Sequence, residues 1–262
     1  MLKLVATDLD GTLLHTDGTV TERTRRVLAA LDERGVTVVF VTGRPIRWMD
    51  DLWEHVGGHG IAICSNGGIV YDVQQHAVIE ARTITRPIGL QVADLIRTAI
   101  PGSAFAIEKT DGFAKEPVYR PDAEIPPGLV IGELEEVYGE NVVKLLARHE
   151  ELPPQRFWNE VEALVGHYVT TTWSSVDALV EMSGHGVTKA STLALYCEEH
   201  GIGREEVVAF GDMPNDVPLL KWAGTSYAMA NAHTSVFPDA THTAPRNDED
   251  GVAAVLEDLF GL

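Results

Sequence analysis

Cysteine and positive charge are scarce in this chain, and long apolar runs are absent. Cys64 and Cys197 are the only cysteines among 262 residues, each in an apolar setting and far from the other in sequence. That excludes a disulfide framework, fits a reducing cytoplasm, and makes both thiols expected core groups. Lys and Arg number 20 against 39 Asp and Glu, a formal net charge of −19. Nucleic acid and anionic membranes are bound by cations that neutralise phosphate, so neither is an expected partner. A small phosphorylated metabolite stays open, because a metal ion and one lysine create local positive charge that a diffuse, salt-screened surface does not cancel. No run approaches the roughly 18 apolar residues that span a bilayer. Met1 leads directly into a strand with a carboxylate at position 8, so no signal peptide is expected and the expected location is cytoplasmic. The ten histidines lack ligand spacing and read as surface or capping residues, with His185 the one worth testing. Neither an internal repeat nor a low-complexity tract occurs. What remains, 45% hydrophobic and 23% charged, is the make-up of a globular protein of one large or two modest domains.

The stretch Val5-Ala6-Thr7-Asp8-Leu9-Asp10-Gly11-Thr12-Leu13-Leu14 organises the rest. An apolar run reads as a short buried strand that ends in two carboxylates of the same parity, which the pleat would place on one side. Gly11 permits a sharp turn, and Thr12 is expected to cap it by bonding to backbone. Two like charges so close are costly unless a cation or a shared proton relieves them.

The elements that follow alternate. A helix is expected over 21–34, capped by Thr21 and buried through Val27, Leu28 and Leu31, then a β-branched strand over 37–42. A helix entered at Pro45 carries Ile46, Met49, Trp53 and Val56 at helical spacing; a strand over 61–64, the turn Ser65-Asn66-Gly67-Gly68 and a hairpin (69–71, 77–84) come next. From residue 86 the rhythm changes. A helix over 87–99, strands over 104–108 and 113–119, a Pro/Gly-rich loop, a strand over 142–148, a helix over 154–165 and strands over 168–173 and 178–182 suggest an antiparallel sheet with helices on one face. Trp158 and Trp173 read as core of that unit, and Ser183-Gly184-His185-Gly186 as the hinge back. The α/β pattern then resumes with a helix over 188–200, a strand over 207–210 running into Gly211-Asp212, a short helix over 215–222, a strand over 227–230 and a helix over 248–260. The expected fold is α/β: a doubly wound parallel Rossmann-like core of residues 1–84 and 184–262, with an α+β domain of residues 85–183 inserted in it.

If the core sheet is parallel, Asp8, Asp10, Thr42 and Asp212 all reach one edge, the edge where such sheets bind ligands. Carboxylates suit Mg²⁺, while the Thr42 hydroxyl, the Lys189 ammonium and exposed N–H groups suit a phosphate. A lysine at a helix start opposes the helix dipole, a misfit that an anion would resolve.

The order Asp-x-Asp-Gly-Thr-Leu, Thr-Gly-Arg, Lys and Gly-Asp-x-x-Asn-Asp resembles that of the haloacid-dehalogenase-like superfamily, and the position of the insertion is similar to its Cof-type, subclass IIB sugar-phosphatase branch. Ser65-Asn66-Gly67, Gly186-Val187-Thr188-Lys189-Ala190 and Asn247-Asp248-Glu249-Asp250-Gly251-Val252 resemble secondary signatures of that branch. The resemblance implies an Mg²⁺-dependent phosphatase of a small phosphomonoester. Asp8 would be the nucleophile that forms an aspartyl-phosphate and Asp10 the general acid and base. The metal would be held by Asp8, the Asp10 backbone carbonyl and Asp212, with Asp216 behind them; Thr42, Gly43, Lys189 and Asn215 would clamp the phosphoryl group. Arg44 and Asn66 are weaker candidates for the same group. The inserted domain would close over the site, exclude water and contact the organic part of the substrate. A phosphomutase uses the same Asp-x-Asp, and a metabolite-binding protein could sit on the same scaffold.

Overall fold

Strand β1 (Leu4–Thr7) is buried throughout and lies at the middle of an eight-stranded sheet. The computed structural model describes residues 1–49, 60–120, 128–173 and 177–262. Contacts divide them into two compact units, Met1–Ile79 with Thr188–Leu262, and Glu80–Val187.

In the first unit β1 is flanked in parallel by β2 (Thr37–Val41) and β12 (Val207–Gly211). Beyond β2 come β3 (Ile61–Cys64), β4 (Ile69–Asp72) and β5 (Ala77–Ala81); beyond β12 come β13 (Thr225–Met229) and β14 (His242–Ala244). The chain therefore leaves β1 to one side and later returns on the other. Parallel strands must be covered on both faces, which is why β1 and β12 read as continuous apolar runs. One face packs Leu4, Ala6, Val39, Val41, Val207 and Ala209 against α5 (Lys189–Glu199) and α6 (Val217–Trp222). Helices α1 (Glu22–Glu33) and α7 (Gly251–Phe260) contact one another, with α1 on β2 and α7 on β14. Both cysteines are buried in this unit, and burial pushes the Cys197 thiol up to about 11, so it stays protonated and packs.

The second unit holds a six-stranded sheet of β6 (Ala104–Lys109), β7 (Gly112–Lys115), β8 (Val130–Ile131), β9 (Val142–Arg148), β10 (Val169–Thr172) and β11 (Leu179–Gly184), ordered β10-β11-β9-β6-β7-β8. All neighbours are antiparallel except β7 and β8. Helices α2 (Arg86–Ala99) and α4 (Pro154–Val165) supply Val92, Ile96, Phe157 and Val161 to its core, and Trp158 packs at that core's margin.

Local chemistry explains where the structure departs from the sequence pattern. Where a helix is expected from Pro45, the described residues hold a 3₁₀ turn, Ile46–Trp48; Trp53 and Val56 lie outside the described residues. β7 stops at Lys115 because Pro117, with no N–H to give a ladder, follows and the chain turns from Glu116 to Tyr119. The loop after it contains β8 and α3 (Leu134–Val137), too short for periodicity to reveal; Pro121, Pro126 and Pro127 lie outside the described residues. β11 extends through Ser183 and Gly184, which were expected to form a hinge, and His185 is exposed in the turn beyond. The segment expected as one helix over 248–260 is a 3₁₀ turn, Asn247–Glu249, and α7, separated by Asp250 in left-handed conformation (φ 54°). Aspartate tolerates that region better than most residues.

Candidate active site

β1 ends at Thr7, so the turn after it, and not the pleat, places the two carboxylates. Asp8 is buried and meets Lys189, the first residue of α5, at 2.6 Å from Nζ to Oδ1. Asp10 turns outward; its carboxylate oxygens accept Nε (2.8 Å) and Nη2 of Arg44 in a bidentate pair. Each carboxylate thus has its own cation. Asp8 and the end of β12 lie on either side of the point where the strand order reverses, the position at which open α/β sheets bind ligands.

Four segments converge there. Asp212 follows β12; Thr12 donates its hydroxyl to Asp212 Oδ1 at 2.9 Å, instead of capping its own backbone as expected. Gly11 (φ +75°) is required in that turn, since a Cβ there would collide with Asp212 Oδ2. Asp216 is fully engaged: Oδ1 takes Lys189 Nζ at 2.7 Å, and Oδ2 accepts the Asp212 and Met213 N–H groups at 3.1 and 3.0 Å. Lys189 opposes its helix dipole, and the anions that resolve this are Asp8 and Asp216. Thr188 and Ser191 cap each other's N–H groups and hold the start of α5.

Thr42 is buried after β2; its hydroxyl oxygen accepts the Arg44 N–H at 3.0 Å, which leaves its proton available to an anion. A Cβ at Gly43 would lie 3.1 Å from Asn66 Oδ1, so this backbone approaches Asn66 closely. Asn66 sits in the turn Ser65–Gly67, three consecutive residues of positive φ (53°, 57° and 105°), and accepts Asn215 Nδ2 at 3.2 Å. Such a turn is strained and persists where its surroundings over-determine it; here Asn66 N–H bonds the Thr42 carbonyl (3.0 Å) and Ser65 N–H the Arg44 carbonyl (2.9 Å). Ser65 Oγ and Asn215 Oδ1 are buried without a partner, so this corner retains hydrogen-bonding capacity for a ligand.

All eight sequence-expected residues are therefore in this unit, and the structure joins Asp8, Lys189, Asp212 and Asp216 directly. Asp10 stands apart from the carboxylate cluster and pairs with Arg44. Asn231 carries no sequence signal and Asn247 stands in the signature Asn247–Val252 without a role of its own; they donate to the carbonyls of Gly11 and Leu14 at 2.7 and 2.9 Å.

Asp8, Asp212 and Asp216 offer carboxylate oxygens within 4.8 Å of one another. Three carboxylates against one ammonium leave an excess of two negative charges when all are ionised. Burial pushes the Asp8 carboxyl well above the usual carboxylate range; Lys189 works against the rise, and Asp216 and Asp212 add to it. Burial and then Asp216 push Asp212 up to about 6. Burial opposes the Lys189 charge, but Asp216 and Asp8 outweigh it and hold the ammonium protonated. Hard oxygen donors with that excess charge fit a divalent cation such as Mg²⁺.

The sign of the pH effect follows. A carboxyl raised above its unfolded value favours the fold only while protonated, so in metal-free protein the Asp212 contribution is present below about pH 4 and lost as pH rises through about 6. A cation needs the ionised ligand, so its affinity rises over the same interval. Calorimetry should find Mg²⁺ bound more tightly at about pH 7 than at about pH 5, with the difference reduced in Asp212→Asn. Equal affinity at both would contradict the placement of Asp212.

An α/β sheet whose switch point gathers buried carboxylates, a lysine and hydroxyls with protons to give has the make-up of an enzyme site for an anionic substrate. The comparisons with known proteins agree. A model of the haloacid dehalogenase-like hydrolase family matches residues 5–256, and the chain belongs to that family. The 5-amino-6-(5-phospho-D-ribitylamino)uracil phosphatase YitU of Bacillus subtilis (strain 168) is 29% identical, over 99% of this chain and 98% of that protein. The pyridoxal phosphate phosphatase YbhA of Escherichia coli (strain K12) is 30% identical, over 97% of each. The solved structure of the HAD subclass IIB sugar phosphatase BT4131 has a TM-score of 0.81 over 99% of both chains at 20% identity, a likeness of fold. Among the described residues no helix is long and apolar enough to cross a membrane.

Proposed function

We propose that this hydrolase is a Mg²⁺-dependent phosphatase of a small phosphomonoester, a sugar phosphate or related metabolite, acting through an aspartyl-phosphate on Asp8. Phosphatase action on a small phosphorylated metabolite is what the named relatives share. The observation that carries the finer reading is Lys189 Nζ bridging buried Asp8 and Asp216, at 2.6 and 2.7 Å, in a cluster whose remaining charge calls for a divalent cation.

Asp8 attacks phosphorus while the bond to the leaving oxygen breaks, and Asp10 gives that oxygen a proton. Asp10, now a carboxylate, takes a proton from the water that attacks the aspartyl-phosphate, which releases phosphate and restores Asp8. For the first step Asp10 must leave Arg44, and the guanidinium so freed stands beside the incoming anion. Thr42, the Gly43 N–H, Lys189 and Asn215 bind the phosphoryl oxygens, over which transition-state charge is spread. Asp8, Asp212 and the Asp10 carbonyl would hold Mg²⁺, with Asp216, already saturated by Lys189 and two N–H groups, orienting the assembly. When bound, the ion supplies the positive charge that keeps Asp8 ionised and offsets the phosphate's own charge. The unit Glu80–Val187 is the proposed source of substrate specificity.

Phosphate release from p-nitrophenyl phosphate and a panel of sugar and other metabolite phosphates tests this. Activity should vanish in EDTA and return with excess Mg²⁺. Metal-independent release would contradict the reading, and conversion of a hexose 1-phosphate to the 6-phosphate without free phosphate would make the protein a mutase.

A further inference from the structure

The C-terminal segment Asn247–Asp250 takes no part in the chemistry above, yet its side chains reach the turn that carries Asp10. Between Asp8 and Leu14 the backbone folds back on itself: Thr12 and Leu14 N–H groups bond the Leu9 carbonyl at 3.2 and 2.9 Å, and Leu13 N–H the Asp8 carbonyl at 3.3 Å. The carbonyls of Gly11 and Leu14 accept from Asn231 Nδ2 (2.7 Å) and Asn247 Nδ2 (2.9 Å). Asn247 N–H donates to Asn231 Oδ1 at 3.0 Å, which fixes that carboxamide with its NH₂ toward Gly11. The neighbouring residues continue the grip. Asp248 accepts the Thr16 N–H and hydroxyl, each at 2.7 Å; Asp250 Oδ1 accepts the Thr21 and Thr24 hydroxyls at 2.7 and 3.2 Å and lies 3.0 Å from His15 Nε2.

We infer that Asn231 and Asn247 are positioning residues that hold this turn so that Asp10 reaches the leaving-group oxygen. The inference rests on the reading of Asp10 as proton donor. The Asp10 side chain is 58% exposed and must leave Arg44 to act, so its reach is then set by the backbone that carries it. The first asparagine grips the carbonyl of the residue directly after Asp10, and the next residue, Thr12, is tied to Asp212. Asn247 is buried and touches none of the reacting groups, so its effect on the chemistry passes through the turn.

The test uses leaving groups. p-Nitrophenolate departs without a proton, whereas the alkoxide of a hexose 6-phosphate needs one. Asn247→Asp keeps the shape but removes the donor to the Leu14 carbonyl, and Asn247→Ala removes the side chain; both are compared with Asp10→Asn on the two substrates, with melting temperatures alongside. In single turnovers that read leaving-group release, the step in which Asp10 is the acid, the expected loss is roughly 10- to 100-fold on the alkyl phosphate and less than about threefold on the aryl phosphate. Asp10→Asn should show the same selectivity more strongly in that step, while its steady-state turnover falls on both substrates because Asp10 also activates the water. Equal single-turnover losses on both substrates, or none on either, in variants that fold would overturn the positioning role while the Asp10 selectivity stands. If Asp10→Asn slows the release of both leaving groups alike, the reading of Asp10 itself falls and takes the inference with it.

Discussion

Asp8→Asn lowers turnover by roughly 10⁴-fold or more at saturating Mg²⁺, because the amide oxygen keeps the shape of the carboxylate and none of its nucleophilicity. The protein should lose no more than a few degrees of melting temperature. Asp8 is a buried carboxyl that its surroundings already push toward the neutral form, so a neutral isostere fits the site, and Lys189 keeps Asp216 as a partner. Activity and stability are therefore expected to separate. The check is steady-state phosphate release beside thermal denaturation of both proteins. Near-wild-type release from the variant would remove Asp8 from the chemistry, and loss of fold would make Asp8 a structural residue.

The second large effect is on stability. Lys189 is 2% exposed and is the cation shared by Asp8 and Asp216. Lys189→Met keeps much of the apolar stem and leaves the buried carboxylates without an ammonium. Removing one partner of a buried ion pair costs about 3–5 kcal/mol. For a chain of this size that corresponds to roughly 10 °C in melting temperature. Mg²⁺ should recover part of it, since a divalent cation neutralises the same carboxylates, and turnover should stay low because the phosphoryl group has lost a donor. Denaturation with Mg²⁺ and with EDTA measures the first effect and phosphate release the second. A Lys189→Met protein as stable as the parent in EDTA would show that the carboxylates do not depend on that lysine.

Much of the core is legible from residue order because its signals are local. Val5-Ala6-Thr7 runs directly into Asp8, Val207-Val208-Ala209-Phe210 runs through Gly211 into Asp212, and two adjacent parallel strands so terminated bring Asp8 and Asp212 together. Lys189 announces itself by opposing a helix dipole, although the anions that answer it are Asp8 and Asp216. What stays hidden depends on the turn after β1. Parity treats Asp8 and Asp10 alike, but the strand ends one residue before Asp8, and the turn buries one carboxylate and exposes the other. Thr12 meets Asp212 across 200 residues of sequence, and Asn231 and Asn247 meet Gly11 and Leu14 across 220 and 233. An asparagine that bonds a distant carbonyl carries no periodicity and no spacing. In the second unit β8 and α3, of two and four residues, are set by neighbouring strands and not by their own pattern.

The central claim is that phosphoryl transfer passes through Asp8, and acid-quenched single turnovers test it most directly. Enzyme with Mg²⁺ is mixed with a substoichiometric phosphomonoester, quenched within one turnover, digested and examined by mass spectrometry. A phosphoryl group should appear on the peptide that contains Asp8, be removed by hydroxylamine as an acyl phosphate is, and be absent from Asp8→Asn. Turnover that leaves the Asp8 peptide unmodified at every quench time, or a phosphoryl group that persists in Asp8→Asn, would contradict it.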